Sequence, residues 1–430
     1  MFIDYTCQNG KLELKFTPEK DDPTTQKTYN SVFKKTMKTE LDSNRCDIYL
    51  PTDWTARSVH PDAFALAMLA IIHPFCGPKI RLRQGVSRVF HNQVKHTMNI
   101  EILPVNEKLS PRKAPSDGAP ALSYSGGIDS NVAALLLPKN AHLFYIDRII
   151  PKGQPPTLLN QEAAYYACDS LAKIGRNVHK IKTDMQYVRK PVGFSTFLTD
   201  AVPALLLADY YGLDSAGHGQ TMEIGYQIGS QGFEDCKDNR VGRPWYQLLE
   251  TIDMPFTLPT IGLSEISTTK IINQSPFHKF AQPCARGKVK KPCMNCYQCF
   301  RKSLLERVLM NRPINEKFLD KLFNIEIVKK IINTSPIHFE NVLTYITAHY
   351  NGKHQEMLAL KKKTRGDTLP VDWMEKYYYK SQEFLAPKYR NHIKKEIYKY
   401  VKPMNAHDIK TMKRDMGTGA LSHTRGGDKN

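Results

Sequence analysis

Six residues near the middle of the chain, Ser125-Gly126-Gly127-Ile128-Asp129-Ser130, have the composition of an anion-binding turn. Gly126 and Gly127 lack a Cβ, so the backbone there can bend sharply and approach a ligand closely. Ser125 and Ser130 offer hydroxyl donors, and Asp129 is placed to hold Mg²⁺ against bound phosphates. Such a turn works only if its neighbours aim it. The apolar run Ala119–Tyr124 has the length of a buried strand and Asn131–Leu137 that of a short helix. A helix beginning there turns its free first-turn N–H groups and the positive end of its dipole onto the same point. Tyr124, Ile128 and Asn131 complete the predicted contact surface. The loop has neither the terminal Lys-Ser/Thr of a Walker A loop nor the third glycine of a dinucleotide fingerprint.

A second group of residues has metal-ligand spacing. Cys284, Cys293, Cys296 and Cys299 read Cys-x8-Cys-x2-Cys-x2-Cys. Four thiolates brought together by short turns suit tetrahedral Zn²⁺, and four protein ligands leave no open position, so the predicted role is structural. Successive x2 spacings also suit an iron–sulfur cluster. The other five cysteines, Cys7, Cys46, Cys76, Cys168 and Cys236, are scattered.

The elements expected to position these groups alternate as in a parallel sheet with crossover helices. After the glycine turn come a strand His142–Ile146 ending at Asp147, a helix Asn160–Ile174, a strand Asn177–Lys182, a helix Phe197–Tyr211 and a strand Leu213–Gly217. Ligands gather beyond the C-terminal ends of such strands. The loop, Asp147, the Asp184 region and His218-Gly219-Gln220 are therefore expected around one crevice, with Ser195, Thr196 and Thr199 as possible substrate contacts.

The chain has 430 residues, 41% hydrophobic and 10% aromatic, enough for two or three domains. Residues 1–106 read as an N-terminal α/β domain without visible chemistry, 107–119 as a linker, 117–307 as the domain holding the glycine loop and cysteines, 308–416 as a basic helical appendage and 417–430 as a disordered tail. The longest apolar stretch, Phe64–Ile72, is too short to span a bilayer, so a cytoplasmic protein with no membrane partner is expected. The net charge of +19 favours anionic partners. Residues 308–430 hold 23 Lys and Arg against 13 Asp and Glu, and the interleaved Tyr and Lys of 377–400 suit either phosphate contact with base stacking or a solvated helix face.

The glycine turn resembles the PP-loop, Ser-Gly-Gly-x-Asp-Ser, of the N-type ATP pyrophosphatases (adenine nucleotide alpha hydrolase-like fold). Followed by the four cysteines, it is similar to 7-cyano-7-deazaguanine synthase, the QueC family. Smaller matches are Gly153-Gln154, Glu162, His179-Lys180, Gly262-Leu263-Ser264-Glu265 and Arg301. The likeness covers about residues 119–307. The chain departs from it in its long extensions and in lacking Asn-x-x-Asp and Tyr-Pro-Asp-Cys stretches after the fourth strand. The long form also looks similar to QueC-like proteins of bacterial antiphage operons, QatC among them, whose partners are encoded alongside.

The resemblance implies a C–N forming ligase that splits ATP to AMP and pyrophosphate. It activates a carboxylate, a 7-carboxy-7-deazaguanine-like acid, for attack by a nitrogen nucleophile to give an amide or nitrile. Asp129 and Ser130 are then catalytic, residues 124–131 with Asp147 and His218 bind ATP and Mg²⁺, and the cysteines bind Zn²⁺. If the acyl group goes to a protein, an α-amine, more often neutral at pH 7, is expected over a lysine. Two readings stand beside this one: modification of tRNA or other nucleic acid by thiolation or lysidine-type adenylation, with Cys168 or Cys236 as a reactive thiol, and a non-catalytic ATP-holding component of a defence complex.

Overall fold

The computed structural model describes residues 1–30, 35–154, 159–229, 232–238 and 242–414. The tail expected at 417–430 lies outside the described residues. Alternating apolar residues build the N-terminal strands: in Lys11–Thr17, Leu12, Leu14 and Phe16 are buried while Glu13, Lys15 and Thr17 face solvent. Leu143–Asp147 is instead buried on both faces, and its first four residues read as a continuous apolar run.

Among the described residues twelve strands form: β1 (Phe2–Gln8), β2 (Lys11–Thr17), β3 (Thr25–Asn30), β4 (Lys35–Leu41), β5 (Arg45–Tyr49), β6 (Lys79–Ser87), β7 (Glu101–Asn106), β8 (Ala119–Ser123), β9 (His142–Arg148), β10 (Asn177–Thr183), β11 (Arg189–Lys190) and β12 (Leu213–Ser215). Nine belong to one sheet, ordered β12-β8-β9-β10-β5-β2-β1-β6-β7, and β11-β4-β3 make a second. β12, β8, β9 and β10 pair in parallel. β10 then pairs antiparallel with β5 through Lys182↔Tyr49 and Thr183↔Ile48. The first hundred residues thus extend the sheet that carries the glycine turn, and one buried cluster joins Met1, Phe16 and Phe64 to Phe144 and Leu205. Asp184 serves this junction: its Oδ1 accepts the Asp47 N–H at 2.7 Å.

The helices are α1 (Pro61–Ile72), α2 (Arg88–Met98), α3 (Ile128–Leu136), α4 (Gln161–Lys173), α5 (Val202–Leu206), α6 (Met222–Gly225), α7 (Arg243–Thr251), α8 (Glu265–Gln274), α9 (Tyr297–Leu309), α10 (Glu316–Phe323), α11 (Glu326–Ile332), α12 (Glu340–Ala348), α13 (Gln355–Thr364), α14 (Pro387–Ile397) and α15 (Ala406–Lys413). The helix expected over Phe197–Tyr211 is only α5 with a 3-10 turn at Thr199–Ala201 before it. Thr196 and Thr199 turn their hydroxyls to the Ala70 carbonyl at 2.8 and 2.7 Å, and the Thr196 N–H donates to Thr199 Oγ1 at 2.9 Å, a local bonding that competes with helix formation.

The C-terminal helices pack onto the body. Tyr377 and Tyr389 join the buried cluster containing Val132 of α3, and Tyr389 donates its hydroxyl to Asp214 at 2.7 Å. Tyr377, Tyr378 and Tyr389 are therefore core, which leaves Tyr379 and Tyr398 as the exposed large aromatics of the 377–400 stretch. A Tyr/Lys sequence has the same composition whether its rings face inward or outward, and here burial of the rings governs.

Candidate nucleotide and metal sites

The glycine turn joins β8 to α3, as its flanking runs require. Gly126 sits at φ +79°, and a Cβ there would meet Ala167 Cβ at 3.2 Å and Ala164 Cα at 3.3 Å. Gly126→Ala is therefore expected to lower stability by about 1–3 kcal/mol, read as a shifted denaturation midpoint. The loop is braced from behind. Asn131 Nδ2 donates to the carbonyls of Gly126 (3.0 Å) and Gly127 (2.8 Å), and Tyr124 donates its hydroxyl to Asn131 Oδ1 at 3.0 Å. Ser125 Oγ lies 3.1 Å from Ser130 Oγ. The amide groups of Ile128, Asp129 and Ser130 have no acceptor among the described residues. They form the free first turn of α3. Gly219 backs onto this turn, and a Cβ on it would lie 2.7 Å from Ser130 N.

The turn opens into a cavity of about 520 Å³ lined by Ser125, Gly127, Asp129 and Ser130, with Tyr145, Ile146 and Arg148 on the β9 side and Phe197, Asp200 and His218 on the β12 side. Tyr124 also lines it, whereas Gly126, Ile128 and Asn131 support the loop from outside. Asp147 does not line it. The strand runs one residue past it to Arg148, and the Asp147 carboxylate accepts from Tyr165 (2.6 Å) and Gln161 (3.0 Å) of α4. Thr196 is at the wall, while Thr199 is spent on Ala70 and the hydroxyl of half-buried Ser195 has no partner among the described residues.

Thr268, Lys302 and Arg148, beside the loop or in the cavity wall, escaped the sequence reading, whereas His218 was expected there. Thr268 of α8 donates to Asp129 Oδ1 at 2.7 Å, and the buried Lys302 of α9 reaches Asp129 Oδ2 at 3.3 Å. Arg148 is braced by Gln186 and has no carboxylate within ion-pair distance among the described residues; burial pulls its pKa below the usual guanidinium range. His218 places Nδ1 3.3 Å from Asp200 and Nε2 2.7 Å from Gln220. Burial would push its pKa down, but the Asp200 carboxylate and these hydrogen bonds outweigh that and raise it. Both nitrogens face oxygen acceptors, as an imidazolium requires.

The four cysteines meet as their spacing predicts. Their sulfurs lie within 4.8 Å of one another, with Cys284 to Cys293 at 3.5 Å and Cys293 to Cys299 at 3.6 Å. The S···S edge of a tetrahedral zinc–thiolate site is about 3.8 Å, so the cluster fits a metal ion such as zinc. Cys296 caps α9 by accepting the Cys299 N–H at 3.4 Å. Three residues beyond Cys299, one turn along α9, is Lys302; that spacing was the signal available in the sequence.

Residue 301 points the other way, into the interior. Arg301 forms a two-pronged ion pair with Glu265 at 2.8 and 2.7 Å, joining two positions of the family likeness. Burial would raise the Glu265 pKa, but the Arg301 and Lys302 charges outweigh it and hold it low. Arg301→Met would strand that carboxylate and is expected to cost about 3–5 kcal/mol, measured by denaturant unfolding. Beside it, burial and the Glu265 charge push Glu223 up to about 7. The folded chain then keeps a proton that an unfolded glutamate releases near its ordinary value. Its contribution is complete below that value and is lost as pH rises toward 7, about 3 kcal/mol in all. Glu223→Gln should flatten the stability profile between pH 5 and 8.

A family of unknown function, DUF6395, matches residues 244–414. The match contains Thr268, the four cysteines, Lys302 and the C-terminal helices, and begins after the glycine loop. It runs without a break from the cysteine segment into the helices that follow. No curated protein matches the chain. No helix among the described residues is long and apolar enough to cross a membrane.

Proposed function

We propose that the β8–α3 turn binds ATP and that the protein splits it between the α and β phosphates to activate a carboxylate. The observation that carries this reading is the group of three free first-turn amides, joined by Ser125, Ser130 and Lys302 at one end of a cavity large enough for a small ligand. The outer phosphates rest on the amides and the Ser130 hydroxyl. Lys302 offers its charge to them, and Asp129 would hold Mg²⁺, which would neutralise the departing pyrophosphate. A carboxylate oxygen of the substrate attacks the α phosphorus, pyrophosphate leaves, and fixed donors favour that step because charge builds on the leaving group. The acyl-adenylate then takes a nitrogen nucleophile, a C–N bond forms and AMP departs. Zn²⁺ is the metal assigned to the cysteine cluster, in a structural role.

Thiolation loses its supporting thiols. Neither Cys168 nor Cys236 lines the cavity, and burial pushes them up to about 12 and about 11. The deciding assay is product analysis from α-labelled ATP with 7-carboxy-7-deazaguanine plus ammonium, with tRNA, and with candidate protein acceptors. AMP and pyrophosphate with an acid and an amine are expected; ADP would exclude the mechanism, and strict dependence on tRNA would move it to nucleic-acid modification.

A further inference from the structure

The cysteine cluster and the cavity share backbone as well as a helix. On one flank, the segment leading to Cys284 lies against the loop: the Gln282 N–H donates to the Gly126 carbonyl at 2.9 Å, and the Ala285 carbonyl accepts from Asn160, the cap of α4 and a cavity residue, at 2.7 Å. On the other flank, α9 begins at the ligand pair Cys296 and Cys299 and carries Gln298 and Lys302 into the cavity. Around the sulfurs there is little core: the cluster consists of Cys284, Cys296 and Cys299, with only Cys293 and Met294 packed against it. Tyr297 and Phe300 seat α9 in the main core, whereas the segment that carries Cys284 and Cys293 has little apolar packing of its own, so the metal is what would tie that segment to α9.

We propose that metal at the cluster and nucleotide in the cavity bind cooperatively, with Lys302 as the positioning contact that transmits the coupling. The proposal rests on the nucleotide reading above. Metal would tie the Cys284 segment, which rests on the glycine loop, to the start of α9, which carries the Lys302 ammonium to Asp129 at the phosphate end of the cavity. A bound triphosphate in turn holds Lys302, the loop and the Gln282 segment, and so resists loss of the metal. Because both are equilibrium bindings, each must tighten the other by the same factor, which for coupled sites is about 5- to 150-fold.

The test uses the full chain loaded with zinc and the non-cleavable probe α,β-methylene-ATP. Calorimetry first measures binding of the probe, and equilibrium competition with a chromogenic chelator then gives zinc affinity with and without it. Zinc affinity is expected to rise about tenfold with the probe in wild type. In Lys302→Met, at a probe concentration that calorimetry shows to saturate the variant, it should lose the rise, and Lys302→Arg should restore part of it. A merely structural lysine would change the basal zinc affinity instead. Zinc affinity indifferent to a probe that calorimetry shows to be bound overturns the coupling and leaves the nucleotide reading standing. A zinc-loaded protein that binds no probe overturns the nucleotide reading and the coupling with it.

Discussion

Lys302→Met is expected to slow AMP and pyrophosphate formation on the order of a hundredfold while the circular dichroism of the protein stays unchanged. The size follows from what the residue does in the cavity. Its ammonium is buried, held by Asp129 at 3.3 Å, and stands at the helix terminus where an ATP triphosphate would rest. A charge already oriented before the reaction needs no reorganisation as the pyrophosphate leaves, and removal of one such donor commonly costs 10²–10³ in rate, about 3–4 kcal/mol. Methionine preserves the length and packing of the aliphatic stem, so the loss reports charge. Quenched-flow product analysis with the activating acid measures it. A rate equal to wild type would mean that Lys302 only neutralises Asp129, and an unchanged biological output would favour the non-catalytic component considered from the sequence.

Stripping the metal, or replacing Cys293 by serine, should have the largest effect on structure. Zinc in a closed thiolate site typically contributes on the order of 10 kcal/mol to local folding, and residues 284–296 have little apolar packing beyond the cluster of sulfurs and Met294 to replace it. We expect one equivalent of zinc per chain by elemental analysis. Its removal should bring rapid amide exchange across 282–296 and a Tm lower on the order of 10 °C. Exchange in β1 and β2, far along the sheet, should change little. A protein that contains no metal as purified and gains no protection with zinc would contradict this, and an iron–sulfur chromophore would reassign the metal.

The parts of the molecule that repeat a local pattern were readable in one dimension. Ser125–Ser130 between an apolar strand and a helix, and four cysteines separated by turns, specify their own geometry because the interacting groups lie within a few residues of one another. Both formed as their spacing predicts. The helix predicted over Asn160–Ile174 was equally legible and forms as α4, with Asn160 as its cap. Asp147 was misplaced because a strand end uncertain by one residue reverses the face on which a side chain emerges.

The amino-acid sequence by itself determined a glycine turn suited to phosphate and a cysteine set suited to metal, since each depends on backbone freedom and ligand chemistry encoded within a short segment. Only the tertiary structure decided that the two meet. It joined the N-terminal strands to the central sheet across Lys182 and Tyr49, turned three tyrosines of the basic C-terminal stretch inward, and brought Thr268 and Lys302 to Asp129 from 139 and 173 residues away. Contacts at such separations are selected by the packing of whole elements against a shared core, and hydrophobic periodicity shows which face of an element is buried but not what it is buried against.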